Sequence, residues 1–177
     1  MALSTVKKTA YPIMVGLMLG LLQVGLFFQL TSMLSSGFGT YLMITLCWLI
    51  GSAAGVTFGA KVTPRMTYLL VLALASYAIC GFLLARLPFE TEVWPAYAAL
   101  VALIGTYPGL FFARMASVYR ARTLFLLENN GFIIGMVTGT LLLMLVGRVA
   151  LWIMPVVIGV TLCLLREPTP GRLPITA

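Results

Sequence analysis

Apolar residues in this chain run on almost unbroken for 17 to 24 positions at a time, rather than alternating with polar ones or marking one helical face. Short polar links separate six such runs: Tyr11–Leu34, Phe38–Ala60, Met66–Ala85, Val93–Ala113, Thr123–Val146 and Val149–Leu165. At about 1.5 Å per residue the first five reach the roughly 30 Å of a bilayer's hydrocarbon core, and the sixth sits at the short end of the spanning range. The predicted fold class is therefore all-α, a polytopic membrane protein with six transmembrane helices in one domain over residues 1–177.

Composition supports lipid as the main solvent. With 62% hydrophobic and 8% charged residues and a mean hydropathy of +1.10, the chain has too little polar surface to cover a water-soluble globule. The charges lie in the links. If the N-terminus is cytoplasmic, the inner side holds Lys7, Lys8, Lys61, Arg65, Arg114, Arg120, Arg122, Arg166 and Arg172, against Arg86 and Arg148 outside. Retention of basic loops on the cytoplasmic side then predicts both termini inside, in a bacterial-type inner membrane. The net charge of +7 is spread over separate short segments, so it reads as topology plus attraction to anionic headgroups, and no nucleic-acid partner is expected. A cleaved signal peptide is not expected either, because the first run is long enough to be retained as a helix.

Catalytic chemistry is hard to assemble from these residues. The chain has no His and no Asp, and Cys47, Cys80 and Cys163 stand singly within apolar runs. That excludes bis-His haem, the usual zinc sites and Ser-His-Asp catalysis, and it leaves no expected cofactor or metal. Of the four Glu residues, Glu90, Glu92 and Glu167 fall in links or tail, and only Glu128 lies within a run. No enzyme is expected.

Two constellations stand out. Gly51, Gly55 and Gly59 in the second run, and Gly131, Gly135 and Gly139 in the fifth, each form a stripe at a spacing of four, which keeps all three on one face and lets another backbone approach closely. They are candidates for intrachain packing or for a partner interface, and Gly16-xxx-Gly20 is a weaker seam in the first run. Three plus three helices evoke an inverted repeat. Strict inversion would place the second stripe toward the outside, so the repeat is unsupported at residue level.

Glu128 lies about 7 Å into the fifth run, where an uncompensated charge costs a few kcal/mol or more. If the second and fifth helices pack antiparallel through their glycines, Glu128 arrives beside the basic turn after Gly59. An ion pair of Glu128 with Lys61, Arg65 or Arg114 is the resulting expectation. Asn129 and Asn130 add amides at the same depth, as polar glue between helices. Gln23 and Gln29, six apart, point to different faces. Pro108, in Tyr107-Pro108-Gly109, and Pro155 predict kinks, and the former also reads as a discontinuous helix at a binding site.

Three stretches carry a family resemblance: Leu34-Ser-Ser-Gly-Phe-Gly-Thr-Tyr41; the glycine helix with its exit, Gly51 to Arg65; and Pro108-Gly-Leu-Phe-Phe-Ala-Arg114 with Leu126-Leu-Glu-Asn-Asn-Gly-Phe-Ile-Ile-Gly135. They resemble the membrane-embedded module of bacterial spermidine-synthase-like proteins, and more broadly one half of a major facilitator transporter. The transporter turn usually carries an Asp after its glycines, and Gly59-Ala60-Lys61 has none. No soluble aminopropyltransferase domain follows Leu165, so that activity is not carried over. The resemblance implies a six-helix half-transporter module whose second and fifth helices face another half.

The leading expectation is a non-enzymatic integral membrane subunit that packs through its glycine-rich helices against other membrane subunits, as scaffold or accessory component. The alternative is a small transporter or permease built from two copies of the chain, with Gln23, Gln29, Tyr107, Glu128, Asn129 and Asn130 lining its path.

Overall fold

The computed structural model describes residues 2–59, 61 and 65–165, with backbone only for residues 2–8 and Thr91. Ala60, Arg166, Glu167 and Arg172 lie outside the described residues, as do the side chains of Lys7 and Lys8. Six α-helices follow one another: α1 Ala2–Met33, α2 Phe38–Gly59, α3 Met66–Arg86, α4 Trp94–Met115, α5 Ala121–Val146 and α6 Arg148–Leu165, with a single 3-10 turn at Thr91–Val93 before α4. All six are long and apolar enough to cross a membrane, so the chain is an all-α, multi-pass membrane protein.

The apolar runs foretold these boundaries to within two residues, except at the start of α1. There the helix begins upstream of Tyr11 and carries Pro12 inside it. The two prolines fare differently from one another. α4 runs unbroken through Pro108, so Tyr107-Pro108-Gly109 is not a discontinuous helix. α6 also continues through Pro155, and the Leu151 carbonyl that this proline frees accepts from the Tyr77 hydroxyl of α3. Between α5 and α6 a single residue reverses the chain. Gly147 has φ 88°, a backbone region closed to most L-residues, and its N–H bonds the carbonyls of Leu142 and Leu143 at 3.2 and 3.0 Å.

The packing is organised by two parallel helix pairs, α2 on α4 and α1 on α5, which share the most extensive interfaces in the molecule. A methyl group at Gly51 or Gly55 would collide with the carbonyl of Ala102 or Thr106, and one at Gly131 or Gly135 with that of Ile13 or Leu17. The partner helices reciprocate. Gly105 and Gly109 of α4 abut the carbonyls of Trp48 and Ser52, while Gly16 and Gly20 of α1 abut those of Glu128 and Phe132. Small residues thus let both backbones approach within each pair, the source of dispersion and packing energy where lipid supplies no hydrophobic drive.

The two pairs are equivalent residue for residue. Shifting α1 onto α4 by 89 positions and α2 onto α5 by 80 converts every one of these glycine contacts into another that is present, including Gly59 against Leu110 and Ala113 into Gly139 against Leu21 and Val24. α3 and α6 obey the same rule at a shift of 78, since Gly81 faces the Trp152 ring and Gly159 faces Leu74. The chain is therefore two three-helix units, α1–α3 and α4–α6, related by a pseudo-two-fold. Three spans per unit make equivalent helices run in opposite directions, so the repeat is inverted. Depth along each helix obscured this in the sequence; contact register reveals it.

Candidate functional site

The predicted antiparallel packing of α2 on α5 is not what forms. Gly51, Gly55 and Gly59 are taken up by α4, and Gly131, Gly135 and Gly139 by α1. All six glycines therefore serve packing within the chain, and neither stripe is free for a partner. The physical reason is reciprocity: α1 and α4 offer their own small residues, Gly16, Gly20, Gly105 and Gly109, so both surfaces of each seam can close. α2 and α5 have no such complementary match, because each has its glycines on the one face already used.

This packing dissolves the expected ion pair. Glu128 is buried at 7% exposure, yet among the described residues its carboxylate meets no cation and no hydrogen-bond donor. Lys61 is exposed, and Arg65 lines a different cavity of about 500 Å³, with Tyr11, Thr67, Tyr107 and Cys163, between α1, α3, α4 and α6. Arg114 is half-buried near the end of α4 and engages elsewhere. With α2 seated on α4, the basic turn that follows α2 is carried away from α5.

Glu128 instead opens into a groove of about 380 Å³ between the two helix pairs. Its walls are Leu19 from α1, Trp48, Ser52 and Val56 from α2, Pro108 and Phe112 from α4, and Phe132 from α5. The groove holds pseudo-equivalent positions, since Glu128 occupies in α5 the place that Trp48 occupies in α2. One half thus presents an indole and the other a carboxylate. Ser52 is already committed: its hydroxyl donates to the carbonyls of Trp48 at 2.9 Å and Gly105 at 3.1 Å.

Asn129 and Asn130, expected as glue between neighbouring helices, are exposed on the outward side of α5 and bond no described residue. Several other polar groups within the spans are satisfied. The hydroxyls of Thr31, Thr140 and Thr161 donate to carbonyls four residues back. Gln29, buried in α1, donates through Nε2 to the Tyr77 hydroxyl at 2.8 Å, which in turn donates to the Leu151 carbonyl at 2.9 Å, tying α1, α3 and α6 together. Sequence reading missed this bridge because Tyr77 lies in an apolar run with no periodic signal to mark it. Gln23 is half-buried in α1 and joins no such bridge, so the two glutamines do not share a polar line. At the opposite end of the α2/α4 pair, Thr40 Oγ1, Trp94 Nε1 and Tyr97 Oη are buried without a hydrogen-bond partner among the described residues.

Among the described residues no group of His, Cys, Asp or Glu is arranged to hold a metal ion, and all three cysteines are free. The chain is thus a multi-pass membrane protein whose notable chemistry is one enclosed carboxylate and two outward amides. No protein family, curated protein or solved structure matches it.

Proposed function

We propose that this chain is a non-enzymatic, six-helix subunit that packs sideways against another membrane protein, as scaffold or accessory component of a larger complex. The observation that carries this reading is the outward face of α5, where Asn129 and Asn130 stand next to Glu128 and bond no described residue. Polar side chains within spans ordinarily face protein or water, and hydrocarbon alone leaves an amide unsatisfied. Two further features agree. α2 and α5 are the least enclosed of the six spans and α1 and α4 the most, so the former pair offers the free surface. The resemblance to a half-transporter module points to the same two helices as the ones that face another half. The nine basic residues assigned to one side support a reading in which the complex sits in a bacterial-type inner membrane with both ends of the chain cytoplasmic.

Gentle extraction from native membranes, followed by mass analysis of the intact assembly, tests the reading. A second membrane protein at fixed stoichiometry is expected, and it should be lost when Asn129 and Asn130 are both replaced by Leu. Recovery of the chain as a bare monomer would refute it. The inverted three-helix repeat favours a second reading, a transporter made of two copies. Recovery as a homodimer without a companion would select that one.

A further inference from the structure

The groove beside Glu128 has an occupant that its chemistry specifies. We propose that it receives a membrane-spanning helix of the partner protein, one that carries a single basic residue within its own apolar span, and that the Glu128 carboxylate is the counter-charge for that residue. The inference rests on the subunit reading above and adds which surface docks and what it recognises.

Four observations converge. Glu128 is more than nine-tenths buried, lines the groove and has no cation among the described residues, so a cation that pairs with it would come from outside them. The rest of the groove is lined by apolar residues and by Ser52, whose hydroxyl is already bonded within the chain, so a mainly apolar helix suits it. Its rim is exposed: Leu49 and Val56 of α2 stand open on one side. On the other, positions 125, 129, 132 and 136 step by four, three and four, one face of α5. Phe125 of that face contacts Phe112 with ring centroids 5.5 Å apart, and Phe132 lines the groove. Asn129, exposed between them, therefore sits on the groove's lip and can bond the same incoming helix.

A second copy of the chain is a poorer occupant of the same groove. An isologous contact would bring two Glu128 carboxylates to one depth on opposite sides of the interface, like charges in low dielectric with no cation between them. Among the described side chains, every basic residue lies in a link or within one residue of a helix end.

The test uses the full chain in lipid vesicles, labelled with a dye on Ala116→Cys in a background without the native cysteines, and synthetic 21-leucine spanning peptides carrying an acceptor dye. One peptide has a single Lys seven residues from its end, and the control has Leu there. Energy transfer should show the Lys peptide associating about tenfold more tightly than the control, the scale of a polar contact between spanning helices. Glu128→Gln, which preserves shape, should erase that preference, and Asn129→Leu, on the exposed lip, should reduce it. Equal association of the two peptides, or a Lys preference that survives Glu128→Gln, overturns the proposal. So does energy transfer between copies of the chain that Glu128→Gln strengthens, which would mark the groove as a self-contact. Equal peptide association together with a companion protein in the native assembly would sink this inference alone and leave the subunit reading standing.

Discussion

The α1/α5 pair and the α2/α4 pair are the same seam made twice, and they differ where it counts. Each joins two parallel helices through alternating small residues, contact for contact, and each closes over the same register. Yet at the position where α2 places the Trp48 ring, α5 places the Glu128 carboxylate, and beyond it the apolar Leu49 and Ile50 are answered by Asn129 and Asn130. The shared part of the two pairs is scaffold. Of the part that departs from the repeat, Glu128, Asn129 and Asn130 bond no described residue, which is why they are the candidate site.

Equivalence of the seams is most severely tested at their centres. Gly55→Leu and Gly135→Leu should each drive a side chain into a carbonyl of the facing helix, Thr106 and Leu17 respectively, and cost about 3 kcal/mol or more. Unfolding of the two variants in detergent should show losses of similar size. A large loss in one and none in the other would break the comparison.

Next in size is a contact that only one half owns. Tyr77 carries the bridge from Gln29 to Leu151, and its pseudo-equivalent in α6 is Pro155, which has no hydroxyl. Tyr77→Phe should destabilise the chain by about 1 to 3 kcal/mol, since it leaves a buried amide donor and a carbonyl without a partner. Retention of full stability would mean that α3 and α6 are held by Gly81 with Trp152 and Gly159 with Leu74 alone.

Smallest is the effect at the site itself. Glu128→Gln removes a charge with no cation beside it among the described residues, so the unfolding free energy of the isolated chain should stay level or rise by up to about 1 kcal/mol. An intrachain ion pair predicts the opposite, a clear loss. The sign of that change in a denaturant titration separates the two.

Much of this was legible in the chain. Long apolar runs fixed the helices because, in hydrocarbon, a helix is how a lone segment satisfies its own backbone. The glycine stripes correctly announced close packing on one face of α2 and one face of α5, but a stripe names a surface and not its neighbour. The neighbour was encoded more faintly, in Gly16 with Gly20 and Gly105 with Gly109, which repeat at 89 positions while the stripes repeat at 80. Comparing those intervals would have found the repeat; comparing depths hid it, because α5 extends seven residues past Gly139 whereas α2 ends at Gly59. The misplaced ion pair followed from the same error, since proximity of Glu128 to Lys61 and Arg65 required α2 against α5. Of the Tyr77 bridge only the acceptor was readable: Pro155 removes the N–H that would bond the Leu151 carbonyl, whereas the donor depends on rotation about each helix axis, which an all-apolar run does not specify.

Oxidative cross-linking in native membranes tests the central claim, that both stripes close within the chain on α4 and α1. In a background without Cys47, Cys80 and Cys163, two pairs should form disulfides readily: Gly59→Cys with Ala113→Cys, and Val24→Cys with Gly139→Cys. A β-carbon at Gly59 lies 3.0 Å from that of Ala113, and one at Gly139 lies 3.5 Å from that of Val24, within or close to disulfide reach. Gly59→Cys with Gly139→Cys, which reuses one site from each, should stay reduced. A disulfide in that last pair, with none in the first two, would put α2 against α5 and contradict the account.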